Sequence, residues 1–192
     1  GDTHNYYELE VNAFETEWDL ILLKPYHDGD KVALDSWDIP GLVSKVHVDG
    51  TINDPSDMDR GWSIEIAIPW KSFINNFRSK APPNDGQIWK VNFSRVHWDT
   101  EIIDGKYVKT DSPEFNWVWS PQGHIYMHFP HFWGRVQFTE TPAGLENIQF
   151  LDDGLDNIRW ALRQIYFRQR NYYFKNEKYT ASLKKLNLLE NP

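Results

Sequence analysis

The stretch "GWSIEIAIPW" constrains this chain more than any other. Trp62, Ile64, Ile66 and Ile68 alternate with Ser63, Glu65 and Ala67 until Pro69 ends the run. Side chains that alternate with period two stand on opposite faces of an extended strand, so one face is apolar and the other polar. The same period recurs upstream. In "YYELEVNAF", Tyr7, Leu9, Val11 and Ala13 share one face, expected in the core, and Tyr6, Glu8, Glu10 and Asn12 share the other, expected in water. "EWDLILLK" follows after a short turn and reads as the second arm of a hairpin, and "LVSKVHVDG" as a further strand closed by Asp49-Gly50. "QIWKVNFSRVHW" reads as one long strand with Trp89, Val91, Phe93 and Arg95 on one face and Asn92, Ser94, Val96 and Trp98 on the other. A helical turn at "WKSFINNF", a charged loop over 99–114, a strand at "FNWVWS" and a last strand, "GRVQFTE", complete the β region near Glu140.

Strands joined by polar turns without intervening helices predict an antiparallel sandwich or barrel. Beyond Glu140 the period changes. Leu155, Ile158, Leu162 and Ile165 recur at three and four, predicting an amphipathic helix of about five turns. Its apolar stripe calls for a cover from the β domain, another domain or a second copy. Thr180 is placed to cap a short final helix, "ASLKKLNLL". The division expected is therefore a β domain over 1–140 and a helical extension over 141–192.

Several function classes are excluded or disfavoured. A net charge of -8 disfavours nucleic acid, which needs a basic face. No run approaches eighteen apolar residues, so no helical membrane span is expected. The absence of cysteine removes disulfides, thiolate metal sites and cysteine nucleophiles. No nucleophile elbow, H-E-x-x-H, P-loop or dinucleotide fingerprint occurs, and no enzyme activity is expected. Gly1 stands where an initiator Met is absent, so the lack of a leader says nothing about export.

Three sets of residues bear on binding. Aromatic residues make up 16% of the chain, with ten Trp, a surplus that thickens a sandwich core or supplies stacking surfaces for sugars. Trp98, Trp117 and Trp119 are the stacking candidates, with Asn92, Arg95, Asn116, Gln122 and His128 as planar polar partners for hydroxyls. Trp117 and Trp119, two apart, share a face that is either core or ligand surface; period two alone does not distinguish these. Asp54, Asp57 and Asp59 crowd a turn, where carboxylates either ligate calcium, a hard cation, or close Asx-turns. His124, His128 and His131 offer a weaker metal pattern.

"YYELEVNAFETEWDL", "GWSIEIAIPW", "KVNFSRVHW" and "NWVWSPQGHIYMHFPHFWGRVQF", in that order, resemble the family 9 carbohydrate-binding modules, in particular a divergent branch of Bacteroidetes proteins. The resemblance covers residues 3–140, and the helical tail also looks like an extension of that branch. It implies a jelly-roll-like β-sandwich, non-catalytic binding of oligo- or polysaccharide, calcium in some members, and export to the periplasm, cell surface or medium beside xylanases. Two departures stand out. The family's upstream strands are absent, so the β domain reads as partial, with a homodimer as one way to cover an exposed edge. The family also clamps sugar between two Trp, one upstream and one three residues before the Pro of a P-x-x-aromatic-Gly ending. Here that second place is Met127, before Pro130, and Trp119 matches a structural Trp. Two other readings follow: an interaction module that has lost sugar binding, and a haem-binding relative with Met127 or a His as axial ligand.

Overall fold

The computed structural model describes residues 4–29, 32–73, 80–122 and 126–188. It is mainly β, with antiparallel pairs throughout and one C-terminal helix. The strands are β1 (Tyr6–Val11), β2 (Glu17–Leu22), β3 (Ala33–Leu34), β4 (Val43–Asp49), β5 (Gly61–Ala67), β6 (Ile88–Val91), β7 (Ser94–His97), β8 (Thr100–Ile103), β9 (Lys106–Lys109), β10 (Phe115–Val118) and β11 (Gly134–Gln137). They form one three-stranded sheet, β1-β2-β3, and four two-stranded ribbons: β4-β5, β6-β11, β7-β10 and β8-β9. These sheets are small, and none closes. The chain divides into two compact units, Gly1–Ile148 and Gln149–Pro192. No described helix is long and apolar enough to cross a membrane.

The expected first hairpin forms, with Tyr6 opposite Leu22 and Val11 opposite Glu17. Asn12 sets its turn: the side-chain carbonyl accepts the Phe14 and Thr16 N–H groups at 2.9 and 3.0 Å. Which face is enclosed differs from the expectation. Tyr6, expected in water, is buried with Leu20, Leu22 and Val32, and Ala33 and Trp133 pack against them. The reason lies in β2. As the middle strand it is covered on both faces, and Asp19 through Leu22 are all buried. Asp19 is not stranded there, because its carboxylate accepts the Ile39 N–H.

"QIWKVNFSRVHW" is two strands rather than one. Between β6 and β7 the chain changes partner, from β11 to β10. Polar contacts hold the break: Phe93 C=O accepts the Trp119 N–H at 2.9 Å, and Asn92 accepts from Gln122 at 3.0 Å. The charged segment 99–114 is not all loop, since it contains the β8–β9 hairpin. Its turn is Asp104-Gly105 with φ of 49° and 72°, and two successive positive φ values match the twist of a tight hairpin. β5 forms over the expected alternation, and Trp62 and Ile66, on its apolar face, are 55% and 45% exposed. Opposite them across β4 stand Val48 and Ser44, so this ribbon keeps an apolar face that is only partly covered.

At "WKSFINNF" a 3-10 turn spans Trp70–Phe73, and 74–77 lie outside the described residues. The long helix, α1 (Asp156–Asn176), forms as expected. It ends where Glu177 turns left-handed and donates its N–H to Tyr173 C=O. No residue of α1 is buried, and Ile158 and Leu162 on the stripe are 58% and 61% exposed. Residues 183–187 form turns rather than the expected helix.

The difference between buried and exposed leucines is directly measurable. Leu20→Ala removes a side chain with no exposure and is expected to cost about 3 kcal/mol in chemical denaturation. Leu162→Ala, by the same measurement, is expected to stay within about 0.5 kcal/mol.

Candidate functional site

The β7–β10 ribbon places Trp117 directly opposite Arg95 and Phe115 directly opposite His97. Residues that face each other across a ladder, and those two apart along a strand, share one side of the sheet. The four therefore form a continuous strip. The Arg95 guanidinium carbon lies 5.6 Å from the Trp117 ring centroid, within cation–π range. Its Nη2 is 3.2 Å from His97 Nδ1, and the His97 and Phe115 rings are 6.5 Å apart. All four are exposed, Trp117 to 63% and Phe115 to 51%. The strip offers exposed aromatic rings with N–H donors beside them. That arrangement suits a ligand with a C–H face and hydroxyl edges.

The other residues expected at the site fall elsewhere. Asn116 is on the opposite face, across from Val96, and its Oδ1 is enclosed without a hydrogen-bond partner. Trp98 lies beyond the end of β7, with the Lys109 ammonium 4.6 Å above its ring. Trp119, 47% exposed, is held by its neighbours. Its indole N–H donates to Val91 C=O at 3.1 Å, its ring meets Phe93 edge-on at 5.5 Å, and it lies against Gly134. A Cβ on Gly134 would come within 2.5 Å of Trp119 Cζ2, so only glycine fits. Gln122 is buried and spends its amide N–H on Asn92.

Met127 and His128 belong to a second cluster. Met127 C=O accepts the Trp133 indole N–H at 2.7 Å, and Trp133 meets Tyr6 edge-on at 4.9 Å. His128 Nδ1 lies 3.0 Å from the Tyr6 hydroxyl and 3.6 Å from Glu8 Oε2, with the Tyr26 ring edge-on at 4.6 Å. Glu8 Oε2 is enclosed and has no hydrogen-bond partner. Burial, with Glu10 nearby, pushes the Glu8 carboxyl from 4.5 up to about 7. Burial lowers the His128 imidazole and raises the Tyr6, Tyr26 and Tyr126 phenols. A carboxyl that holds its proton near neutrality beside a neutral imidazole resembles an acid–base pair. Here the aromatic rings enclose it, and it ties β1 to residues 126–128.

The acidic turn uses its own carboxylates. Asp54 accepts the Ser56 N–H, Asp57 accepts the Thr51 hydroxyl, and Asp59 accepts the Thr51 N–H, at 2.9, 2.7 and 2.8 Å. Ser56 also holds the Asp54 carboxyl below its usual range. Among the described residues, no group of three His, Asp or Glu side chains is placed to hold a metal ion. His124 lies outside the described residues.

His97 and Phe115 were not legible as partners of Trp117, because the register that joins them follows from the break at Asn92–Phe93. No family model matches this chain, and neither a curated protein nor a solved structure matches it.

The Glu8 carboxyl makes stability depend on pH with a definite sign. Its folded pKa lies above its unfolded one, so the native state holds the extra proton. Stability therefore falls as pH rises from about 4.5 to about 7. The lowered His128 acts oppositely, its contribution fading as pH rises through its ordinary 6.5. In denaturation between pH 6.5 and 8 the loss from Glu8 is expected to be about 0.5 kcal/mol once its partial exposure is allowed for, offset in part by His128. Glu8→Gln should flatten that loss; an unchanged pH slope in the variant would assign it to other groups.

Proposed function

We propose that this chain is a non-catalytic carbohydrate-binding module of jelly-roll-like sandwich type. Its ligand is an oligo- or polysaccharide of the xylan type, and it works outside the cytoplasm beside polysaccharide-degrading enzymes. The observation that carries this reading is the exposed strip Trp117–Arg95–His97–Phe115. Trp117 and Phe115 stand two apart on one strand face, so two exposed rings lie side by side where a ligand can stack on both. The guanidinium and imidazole beside them supply the planar donors and acceptors that sugar hydroxyls require. The ordered motif resemblance supports the same ligand class. Met127 is not part of this strip; its backbone C=O accepts the Trp133 indole N–H beside Tyr6 and His128.

A second reading has its own observation. The β4–β5 ribbon leaves Trp62 and Ile66 about half exposed, as suits a module that binds another protein chain through that face.

Isothermal titration with xylo- and cello-oligosaccharides distinguishes the two. Binding is expected in the micromolar to millimolar range, with Trp117→Ala weakening it at least about tenfold, or about 1.4 kcal/mol. Arg95→Ala should weaken it less, and Trp62→Ala should leave it unchanged. An absence of binding to any plant oligosaccharide at millimolar concentration would rule out the sugar reading.

A further inference from the structure

The second unit carries the opposite charge to the first. Residues 149–192 hold eight Lys and Arg against five Asp and Glu, a net charge of +3, in a chain whose total is -8. The cations are unevenly placed. From Arg163 to Asn176, α1 carries Arg163, Arg168, Arg170 and Lys175 and no acid. Beyond the helix the chain folds back on it. The Gln169 carboxamide donates to Thr180 C=O at 2.6 Å and accepts the Thr180 N–H at 3.2 Å. Tyr179 stacks on Tyr173 at 4.7 Å. Leu186, 3% exposed, anchors the returning turn.

Between helix and turn is a cavity of about 160 Å³. Arg168, Asn171, Tyr172 and Lys175 line it from α1, and Lys185, Leu186 and Asn187 from the turn. The four helical residues are spaced i, i+3, i+4 and i+7, which is one face. Three cations and two amides thus converge above an apolar floor, with no carboxylate in the lining. Among the described residues, none of Arg168, Lys175 and Lys185 is paired with an acid. Complementing the helix dipole accounts for Lys175, in the last turn. It does not account for Arg168, two turns earlier, or for Lys185, outside the helix.

We propose that this cavity binds a small oxyanion, a carboxylate, sulfate or phosphate group carried on a small molecule. Three like charges held around one cleft repel until an anion enters. The Arg168 fork can grip two oxygens at once, and the two lysines act as point charges. A cavity of 160 Å³ equals about five waters at about 30 Å³ each, room for the oxyanion and a short stem. The site lies in a different unit from the Trp117 strip and does not depend on the carbohydrate reading.

The test uses the whole chain. Inorganic phosphate, sulfate and glucuronate are titrated at constant ionic strength with chloride as the control anion, and read by amide NMR shifts. Saturable binding near about 1 mM is expected for at least one of them, with glucuronate against phosphate and sulfate showing which source the site prefers. Lys185→Gln and Arg168→Gln should each weaken binding about tenfold with helical circular dichroism retained. Lys178→Gln, a cation that does not line the cavity, should leave binding unchanged. Non-saturating shifts for all three anions would overturn the proposal, as would an equal loss in Lys178→Gln, which would mark the effect as diffuse charge.

Discussion

The first unit depends on the burial of one strand. β2 has a partner on each edge and cover on each face, so four consecutive residues, Asp19 to Leu22, lose contact with water. A strand in that position tolerates a carboxylate only if the carboxylate is used, and Asp19 is used on the Ile39 N–H. The same burial places Leu20 and Leu22 opposite Glu8 and Tyr6, drawing both β1 side chains out of water. His128 and Trp133 then close over Tyr6 from a segment more than a hundred residues away. A local hairpin thus becomes a long-range core, and a glutamate on its face acquires a pKa near neutrality.

The candidate strip has a different physical origin. It stands on a two-stranded ribbon where Trp117 and Phe115 remain more than half exposed. Two-stranded ribbons keep two accessible faces, and side chains on them are organised by their cross-strand neighbours. Arg95 over Trp117 and His97 beside Phe115 are such neighbours. Trp119, two residues beyond Trp117, is still 47% exposed, but its indole N–H is held by Val91 C=O and its ring lies against Gly134.

Much of this was legible in the sequence. Period two located β1, β2, β4, β5 and β11, the short turn after β1 marked a hairpin, Asp49-Gly50 marked the end of β4, and spacing of three and four located α1. What escaped it was non-local. The alternation in "YYELEV" identifies two faces but not which one meets β2, so it does not foretell the burial of Tyr6 and the partial burial of Glu8. The run "QIWKVNFSRVHW" alternates throughout, and only its two different partners divide it. The cationic face of α1 was legible in principle, since Arg168, Asn171, Tyr172 and Lys175 share helical spacing. Its significance came from the turn that folds back on it.

The Gln169 carboxamide presents one donor and one acceptor, the same pair that a neighbouring peptide group would present. It therefore does the work of an extra strand at a single position, fixing which residue of the returning chain lies against the helix. The link from Asn176 to Thr180 is the ruler that sets this alignment. A residue inserted into or deleted from it would bring Tyr179 or Ala181 to the amide. The Tyr173–Tyr179 stack would be lost, and the turn carrying Lys185 would slide along the helix by one position. The length of that short connection, more than the identity of its residues, determines whether the two halves of the cationic cleft meet.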